Sequence, residues 1–209
     1  MTGSGINNME SKRVGLYGGT FSPPHVGHVH AAMEFERAME LELLYIMPAN
    51  VPPHKTVAYP IPPSDRLEMC RLAFGEVPDT VVSDFEISRD CVSYTVDTLR
   101  MLYEQYGRVF MLCGDDMLLT LDRWRAPEEI FRMAHVVCMR RYDTDSAPLL
   151  EKAEEYKSRF GAQVTFIDSK PLPVSSTEIR GMLKNSDACA AEYLAPAVLE
   201  YIRNKGLYE

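Results

Sequence analysis

The sequence predicts an α/β fold, a parallel sheet with helices on both faces. Short apolar runs recur along the chain, and stretches of about a dozen residues with helical spacing fill the intervals, the pattern of βαβ units. The residues just past the runs are of another kind. Gly18-Gly19-Thr20-Phe21, Pro52-Pro53-His54-Lys55, Gly114-Asp115-Asp116, Arg140-Arg141 and Ser175-Ser176-Thr177 gather glycine, histidine, hydroxyl and basic residues. Ligands of such folds bind beyond the carboxyl ends of the strands, and this clustering suits a ligand that carries phosphate.

Taken in order, residues 1–12 hold Gly3, Ser4, Gly5, Asn7 and Asn8 and read as a disordered extension, which leaves residues 13–209 as one domain. Val14-Gly15-Leu16-Tyr17 is a buried strand, and Gly18-Gly19 suits a tight turn after it. A polar loop with Pro23-Pro24 leads into a helix over 27–40, where Ala31, Phe35, Ala38 and Met39 share one face. Leu43-Leu44-Tyr45-Ile46-Met47 is the next strand. The segment 48–63 holds six of the fourteen prolines, so it is an extended loop of the length that usually serves function. A helix then opens at Ser64, its expected N-cap. Val81-Val82 is a short strand, 94–106 a helix, and Val109-Phe110-Met111-Leu112-Cys113 a strand ending at Gly114. Val136-Val137-Cys138-Met139 and Val164-Thr165-Phe166-Ile167 are two more strands, with helical patterns between and after them.

Composition narrows the function. Apolar residues make up 46% and charged residues 25% of the 209 positions, which is ordinary for a soluble globular chain and enough for a core. The net charge of −8 argues against a general DNA or RNA binder, whose affinity needs a basic face. A nucleotide as ligand needs only a few local donors. No apolar run approaches the ~18 residues of a membrane span, and no charged-then-apolar leader opens the chain. The five cysteines are odd in number and widely spaced, with no CxxC or CxxH pair. The expectation is a reduced, cytoplasmic protein with no nucleic-acid or membrane partner, and with room for a homo-oligomer.

Two strings carry chemistry. The first is Gly18-Gly19-Thr20-Phe21-Ser22-Pro23-Pro24-His25-Val26-Gly27-His28. Two glycines after a strand let backbone approach a ligand closely. His25 and His28, three apart at a helix start, can face one point, where free N–H groups and a partial positive charge welcome an anion. A metal reading of His25, His28 and His30 finds no carboxylate or cysteine at ligand spacing among them, so no metal site is assigned. The chain lacks GxGxxG after the first strand and GxxxxGK[ST] anywhere. The second string is Ser175-Ser176-Thr177-Glu178-Ile179-Arg180. Alone it reads as a capping box, with Ser175 or Ser176 as cap and Glu178 or Ile179 near N3. Beside the histidine string it reads as a second anion site.

The first string resembles the HxGH signature of the nucleotidyltransferase superfamily that shares ancestry with class I aminoacyl-tRNA synthetases. A length of 209 residues leaves no room for a tRNA-reading region. The second resembles the family's ISSTxIR motif. Glu86-Ile87-Ser88-Arg89 followed by Ser93-Tyr94-Thr95-Val96-Asp97-Thr98-Leu99 resembles the ExxR…SYTxDTL segment of nicotinate-mononucleotide adenylyltransferases. Gly114-Asp115-Asp116-Met117-Leu118 with Trp124, and Pro52-Pro53-His54-Lys55, are similar to that family's GxDxL…W segment and PPHK loop, and the end from Val198 to Tyr208 is similar to its C-terminus. Ser22 stands where the family usually has Asp or Asn, and Cys91-Val92 where it commonly has Gly-Pro.

The resemblance implies a Rossmann-like nucleotidyltransferase fold and the reaction of ATP with nicotinate mononucleotide to give deamido-NAD and pyrophosphate. It implies that His25 and His28, with Thr20, are the catalytic residues, His28 nearest the α-phosphate. Gly18, Gly19, Thr20 and Phe21 would line the reacting phosphates. Ser176, Thr177 and Arg180 would hold the β- and γ-phosphates, and Gly114 and Asp116 the adenosine. Mg²⁺ would be bound mainly through the ATP phosphates. For the acceptor it implies Lys55 at the phosphate, Trp124 stacked on the pyridine, Thr95 and Arg125 at the carboxylate, and the 48–63 loop closing over it. Asp115, Arg89, Arg140 and Arg141 rank lower. A sibling enzyme acting on phosphopantetheine is disfavoured by Trp124 and the SYTxDTL segment. One acting on nicotinamide mononucleotide differs only by amide against acid. A non-catalytic nucleotide sensor would be expected to lack the two histidines, and both are present.

Overall fold

A computed structural model describes residues 12–51, 61–89, 91–141, 146–169, 172 and 174–208. The first eleven residues of the expected extension, and the Pro52-Pro53-His54-Lys55 tip with most of the loop around it, lie outside them. Six parallel strands form one sheet: β1 Val14–Gly19, β2 Leu43–Pro48, β3 Thr80–Val82, β4 Val109–Gly114, β5 Ala134–Arg141 and β6 Val164–Ser169. Their order is β3-β2-β1-β4-β5-β6. β1 pairs with β2 on one side and with β4 on the other, so the winding reverses between β1 and β4. The crevice beyond the carboxyl ends of those two strands is where such a sheet binds its ligand.

Helices cover both faces, because successive residues of each strand point opposite ways and both sets are apolar. Val109, Met111 and Cys113 of β4 join the core under α3 Thr95–Tyr106, α5 Pro127–Met133 and α6 Ala147–Phe160. Leu112, between them, joins the opposite core under α1 Val26–Met39 and α2 Pro63–Phe74. A third cluster packs Met69 of α2 against Ile179 of α7 Ser176–Lys184 and Val198 and Ile202 of α8 Pro196–Lys205, and it includes Tyr208. The short helix α4 Asp115–Leu118 follows β4 directly. No helix of the described residues is long and apolar enough to cross a membrane.

Three local expectations are corrected. The buried face of α1 is Ala32, Phe35 and Met39, while Ala38 is exposed. Phe35 lies so close to β1 that a Cβ on Gly15 would come 2.9 Å from its ring and 2.4 Å from Leu41. Second, α2 is not capped by Ser64. Pro62 is its N-cap and Pro63 its first residue, with no side-chain cap bond, since a proline at N1 is already pre-set for helix and has no N–H to satisfy. Third, Gly18 and Gly19 do not turn the chain: both belong to β1, and the left-handed residue of the turn is Phe21 at φ 47°.

Candidate active site

The turn after β1 is held from several sides. Phe21 is 2% exposed and meets Tyr17, Phe74 and His28 edge-on, with ring centroids 5.3, 5.7 and 5.1 Å apart. A Cβ on Gly19 would sit 2.9 to 3.1 Å from this ring, so the glycine is required by the buried phenylalanine rather than by a turn. A left-handed phenylalanine costs about 1–3 kcal/mol and persists only where its surroundings fix it. Here Arg66 donates to the Thr20 carbonyl (2.9 Å), Arg180 to the Ser22 carbonyl (2.8 Å) and Ser176 Oγ to the Pro23 carbonyl (3.0 Å). The Ser22 hydroxyl, buried, meets the Tyr208 hydroxyl at 3.0 Å.

His25 caps α1. Its Nδ1 accepts from the Gly27 N–H (3.1 Å), and His28 Nδ1 accepts from the His25 N–H (3.2 Å), a reciprocal capping box built from two imidazoles. An Nδ1 that accepts carries no proton, so in each neutral ring the proton is on Nε2. The rings lie 3.7 Å apart at 35°. Burial pushes His25 down to about 4, with Glu178 pulling the other way. His25 is therefore a neutral donor at pH 7, and α1 begins with two oriented rings beside its positive dipole end. Gly27 makes room for this pair: a Cβ there would come 3.0 Å from the His25 Cε1 and Nδ1.

The Ser175–Arg180 string both caps a helix and anchors the turn after β1. Ser175 is the N-cap of α7, accepting from the Glu178 N–H while the Glu178 carboxylate accepts from the Ser175 N–H and hydroxyl, which holds that carboxyl below its usual range. Ser176 and Arg180 join α7 to the β1 turn, and Arg180 also donates to Thr177 Oγ1 at 3.0 Å. The two strings, some 150 residues apart in the chain, thus form one contiguous surface.

On the other face of the sheet stand the residues expected at the acceptor. Thr95 opens α3, whose N-cap Tyr94 makes no side-chain cap bond. Arg125 stacks on the Tyr94 ring at 4.6 Å, which brings a cation next to that helix start. Trp124 is half-buried against the core under α3 and α5. Gly114 ends β4, and a Cβ on it would meet Asp116 Oδ1 at 3.2 Å. Asp115 Oδ1 is 3.8 Å from Cys138 Sγ, while Asp116 is exposed. Lys55 lies outside the described residues. Arg140 bridges to Asp168 (2.6 Å) and Arg89 lies 3.8 Å from Asp97, so these two are engaged in the protein. For Arg141 only the backbone, at the end of β5, is described.

Sequence reasoning missed Arg66, Asn50 and Tyr208. Arg66, 4% exposed, also donates to the Asn50 carbonyl (2.9 Å). Asn50 donates its N–H to Ser93 Oγ (2.8 Å) and its side-chain amide to the Arg89 carbonyl (2.9 Å). Ser93 N–H bonds to the Val51 carbonyl (3.0 Å) and Val51 bridges Val92, so the Cys91-Val92 segment is tied to the end of β2. Glu86, buried, accepts from Thr98 Oγ1 (2.5 Å). Burial raises its carboxyl, and the Thr98 and Ser93 hydroxyls lower it. In the sequence Arg66 looks like one more polar residue of an amphipathic helix, and no local signal marks it.

Comparison with known proteins fits this geometry. The cytidylyltransferase-like family model matches residues 16–182. A protein of Caldicellulosiruptor saccharolyticus named a probable nicotinate-nucleotide adenylyltransferase is 34% identical over 94% of this chain and 99% of its own length. One of the same name from Pseudomonas fluorescens is 35% identical over 94% and 97%. Among solved structures, the Plasmodium falciparum nicotinic acid mononucleotide adenylyltransferase complexed with NaAD shares the fold with a TM-score of 0.77 at 18% identity, covering 94% of this chain and 97% of that one. Relatives a third identical from end to end, and a family match over most of the length, make this chain a member of the cytidylyltransferase-like family, among its nicotinate-nucleotide adenylyltransferases.

Proposed function

We propose that the chain transfers the AMP portion of ATP to nicotinate mononucleotide. A phosphate oxygen of the mononucleotide attacks the α-phosphorus in line, the new O–P bond forms as the bond to the β-phosphate oxygen breaks, and pyrophosphate leaves with deamido-NAD as product. No protein nucleophile is needed, so catalysis is positioning plus stabilisation of charge on the phosphates. The observation that carries this reading is the reciprocal histidine cap, which directs neutral Nε2–H donors from the start of α1. In this reading His28 reaches the α-phosphate, His25 and the Thr20–Phe21 backbone the phosphates beside it, and Ser176, Thr177 and Arg180 the leaving pyrophosphate.

Asp116 beside Gly114 suits a ribose hydroxyl. The open start of α3 with Arg125 on Tyr94 suits a carboxylate, and Trp124 suits a ring to stack. The groups around the β1 turn are histidines, hydroxyls, guanidiniums and amides, a donor set complementary to phosphate oxygens and not a cage of carboxylates. They would leave a Mg²⁺ to be held mainly by the phosphates of the nucleotide, where it would supply charge neutralisation. Five unpaired cysteines support a reducing compartment, the cytoplasm, and residues 13–209 are read as one nucleotidyltransferase domain.

The test is pyrophosphate release with ATP and each of nicotinate mononucleotide, nicotinamide mononucleotide and phosphopantetheine. The carboxylate acceptor should exceed the amide at least about tenfold in kcat/KM. A carboxylate only accepts, whereas an amide turns an NH₂ toward one N–H donor and leaves it unpaired, at a cost of ~1–3 kcal/mol, and tenfold needs only about 1.4. Equal efficiency would refute the assignment of Thr95 and Arg125, and release only with phosphopantetheine would refute the function.

A further inference from the structure

We propose that Arg66 is a positioning residue for the transfer, a guanidinium that sets the direction of the backbone donors at the ends of β1 and β2. It rests on the functional reading that ATP phosphates bind at the turn after β1. Arg66 stands on α2, 4% exposed, and spends one nitrogen on the Thr20 carbonyl and another on the Asn50 carbonyl, both at 2.9 Å. Those two carbonyls lie just past the ends of the paired strands β1 and β2. A trans peptide is planar, with its N–H opposite its C=O. Drawing the Thr20 oxygen back toward α2 therefore aims the Phe21 N–H away from it, and drawing the Asn50 oxygen does the same for the Val51 N–H. Phe21 is the left-handed residue of the turn, so without this hold its peptide has a more relaxed orientation available. Through Asn50 the same guanidinium reaches Ser93 and the loop that leads to Thr95.

The charge carries the second half of the inference. Arg66 makes no ion pair among the described residues, and the groups whose fields act on it, Cys70 and Tyr208, are neutral at pH 7. Burial without a counter-ion opposes its positive charge. The planar fork that reaches both carbonyls brings its charge with it. Phosphates bound across the Thr20–Phe21 peptide supply the missing anion, so the cost of the buried cation falls when ATP binds.

The experiment compares wild type, Arg66→Met and Arg66→Lys by steady-state kinetics and by the rise in Tm on adding ATP alone. Arg66→Met removes an uncompensated buried charge but leaves the Thr20 and Asn50 carbonyls without that donor, so its Tm should fall by several degrees and its kinetics are read well below that Tm. Its kcat should fall about thirtyfold, or about 2 kcal/mol at 1.36 per decade, with KM for nicotinate mononucleotide within threefold and a reduced ATP-induced rise in Tm. Arg66→Lys keeps the charge but has one nitrogen for two carbonyls. It should recover the ATP-induced rise while its kcat stays at least about fivefold low, and that result decides the matter if the Met variant does not fold. A kcat within threefold of wild type in folded Arg66→Met, or full kcat in Arg66→Lys, overturns the proposal. So does a loss of kcat in both variants that only tracks a fall in Tm. If wild type itself releases no pyrophosphate with nicotinate mononucleotide, the functional reading fails, and the ATP-induced rise, which needs no acceptor, still tests Arg66.

Discussion

Acid should destabilise this protein through His25 in particular. The ring is 7% exposed and burial lowers its pKa from about 6.5 to about 4, so the unfolded chain takes up the proton first as pH falls. The neutral ring's contribution is complete above pH 6.5 and is lost progressively on the way down to 4. For those two values the loss between pH 7.5 and pH 5 comes to about 2 kcal/mol, at 1.36 kcal/mol per unit. The comparison is urea unfolding of wild type and His25→Asn across that range. Asparagine is among the best N-caps, so helix α1 keeps its start, and it does not titrate. The stability advantage of wild type over the variant should shrink by about 2 kcal/mol between pH 7.5 and pH 5. His135, also lowered by burial and by Arg108 and Arg13, adds acid sensitivity to both proteins and drops out of the difference. Parallel pH profiles would refute the neutral, Nδ1-accepting assignment on which the proposed phosphate donors depend.

Other perturbations separate the site from its scaffold. His28→Ala should lower kcat by about 10²–10³ through loss of one transition-state donor while the fold survives, and near-normal kcat in a folded variant would rule out its role. Gly27→Ala should cut kcat/KM by about tenfold to a hundredfold, because the new Cβ meets the His25 ring at 3.0 Å, although helix propensity favours alanine by about 1 kcal/mol. Full activity would show that the ring moves aside harmlessly. Tyr156→Phe should lose about 1–3 kcal/mol, since the buried hydroxyl donates to the Leu118 carbonyl (2.8 Å) and accepts from the Asp122 N–H (3.2 Å). Trp124, the single tryptophan, lies just beyond that segment, so its emission should shift with the variant, and unchanged stability would place the fastening elsewhere.

What the sequence revealed was local. Six apolar runs could be read as strands because each is continuous, and His25 and His28 could be read as a phosphate site because glycine, histidine and helix start fall within eleven residues. Strand order was not legible, since parallel neighbours such as β1 and β4 are joined only through distant chain. Phe21 illustrates a subtler miss. Two adjacent glycines suggest a turn, yet a buried aromatic ring two residues after Gly19 takes up the space a side chain there would need, and the left-handed conformation passes to the phenylalanine. The partner of Ser22 is Tyr208, which no spacing rule could supply.

The partners of the β1 turn also explain why the C-terminal helices belong to the site. Arg66 comes from α2, Ser176 and Arg180 from α7, and Tyr208 from the residues after α8. These elements meet in the cluster of Met69, Ile179, Val198 and Ile202, all nearly inaccessible to solvent. Fully burying each such side chain contributes on the order of 1.5–3 kcal/mol. That is enough to offset the ~1–3 kcal/mol of a left-handed phenylalanine. The packing of α7 and α8 on α2 therefore adds to what holds the strained turn. That apolar cluster thus helps decide whether the two motif strings face each other, and a cavity opened there would reach the proposed phosphate site through the backbone of Thr20, Phe21 and Ser22.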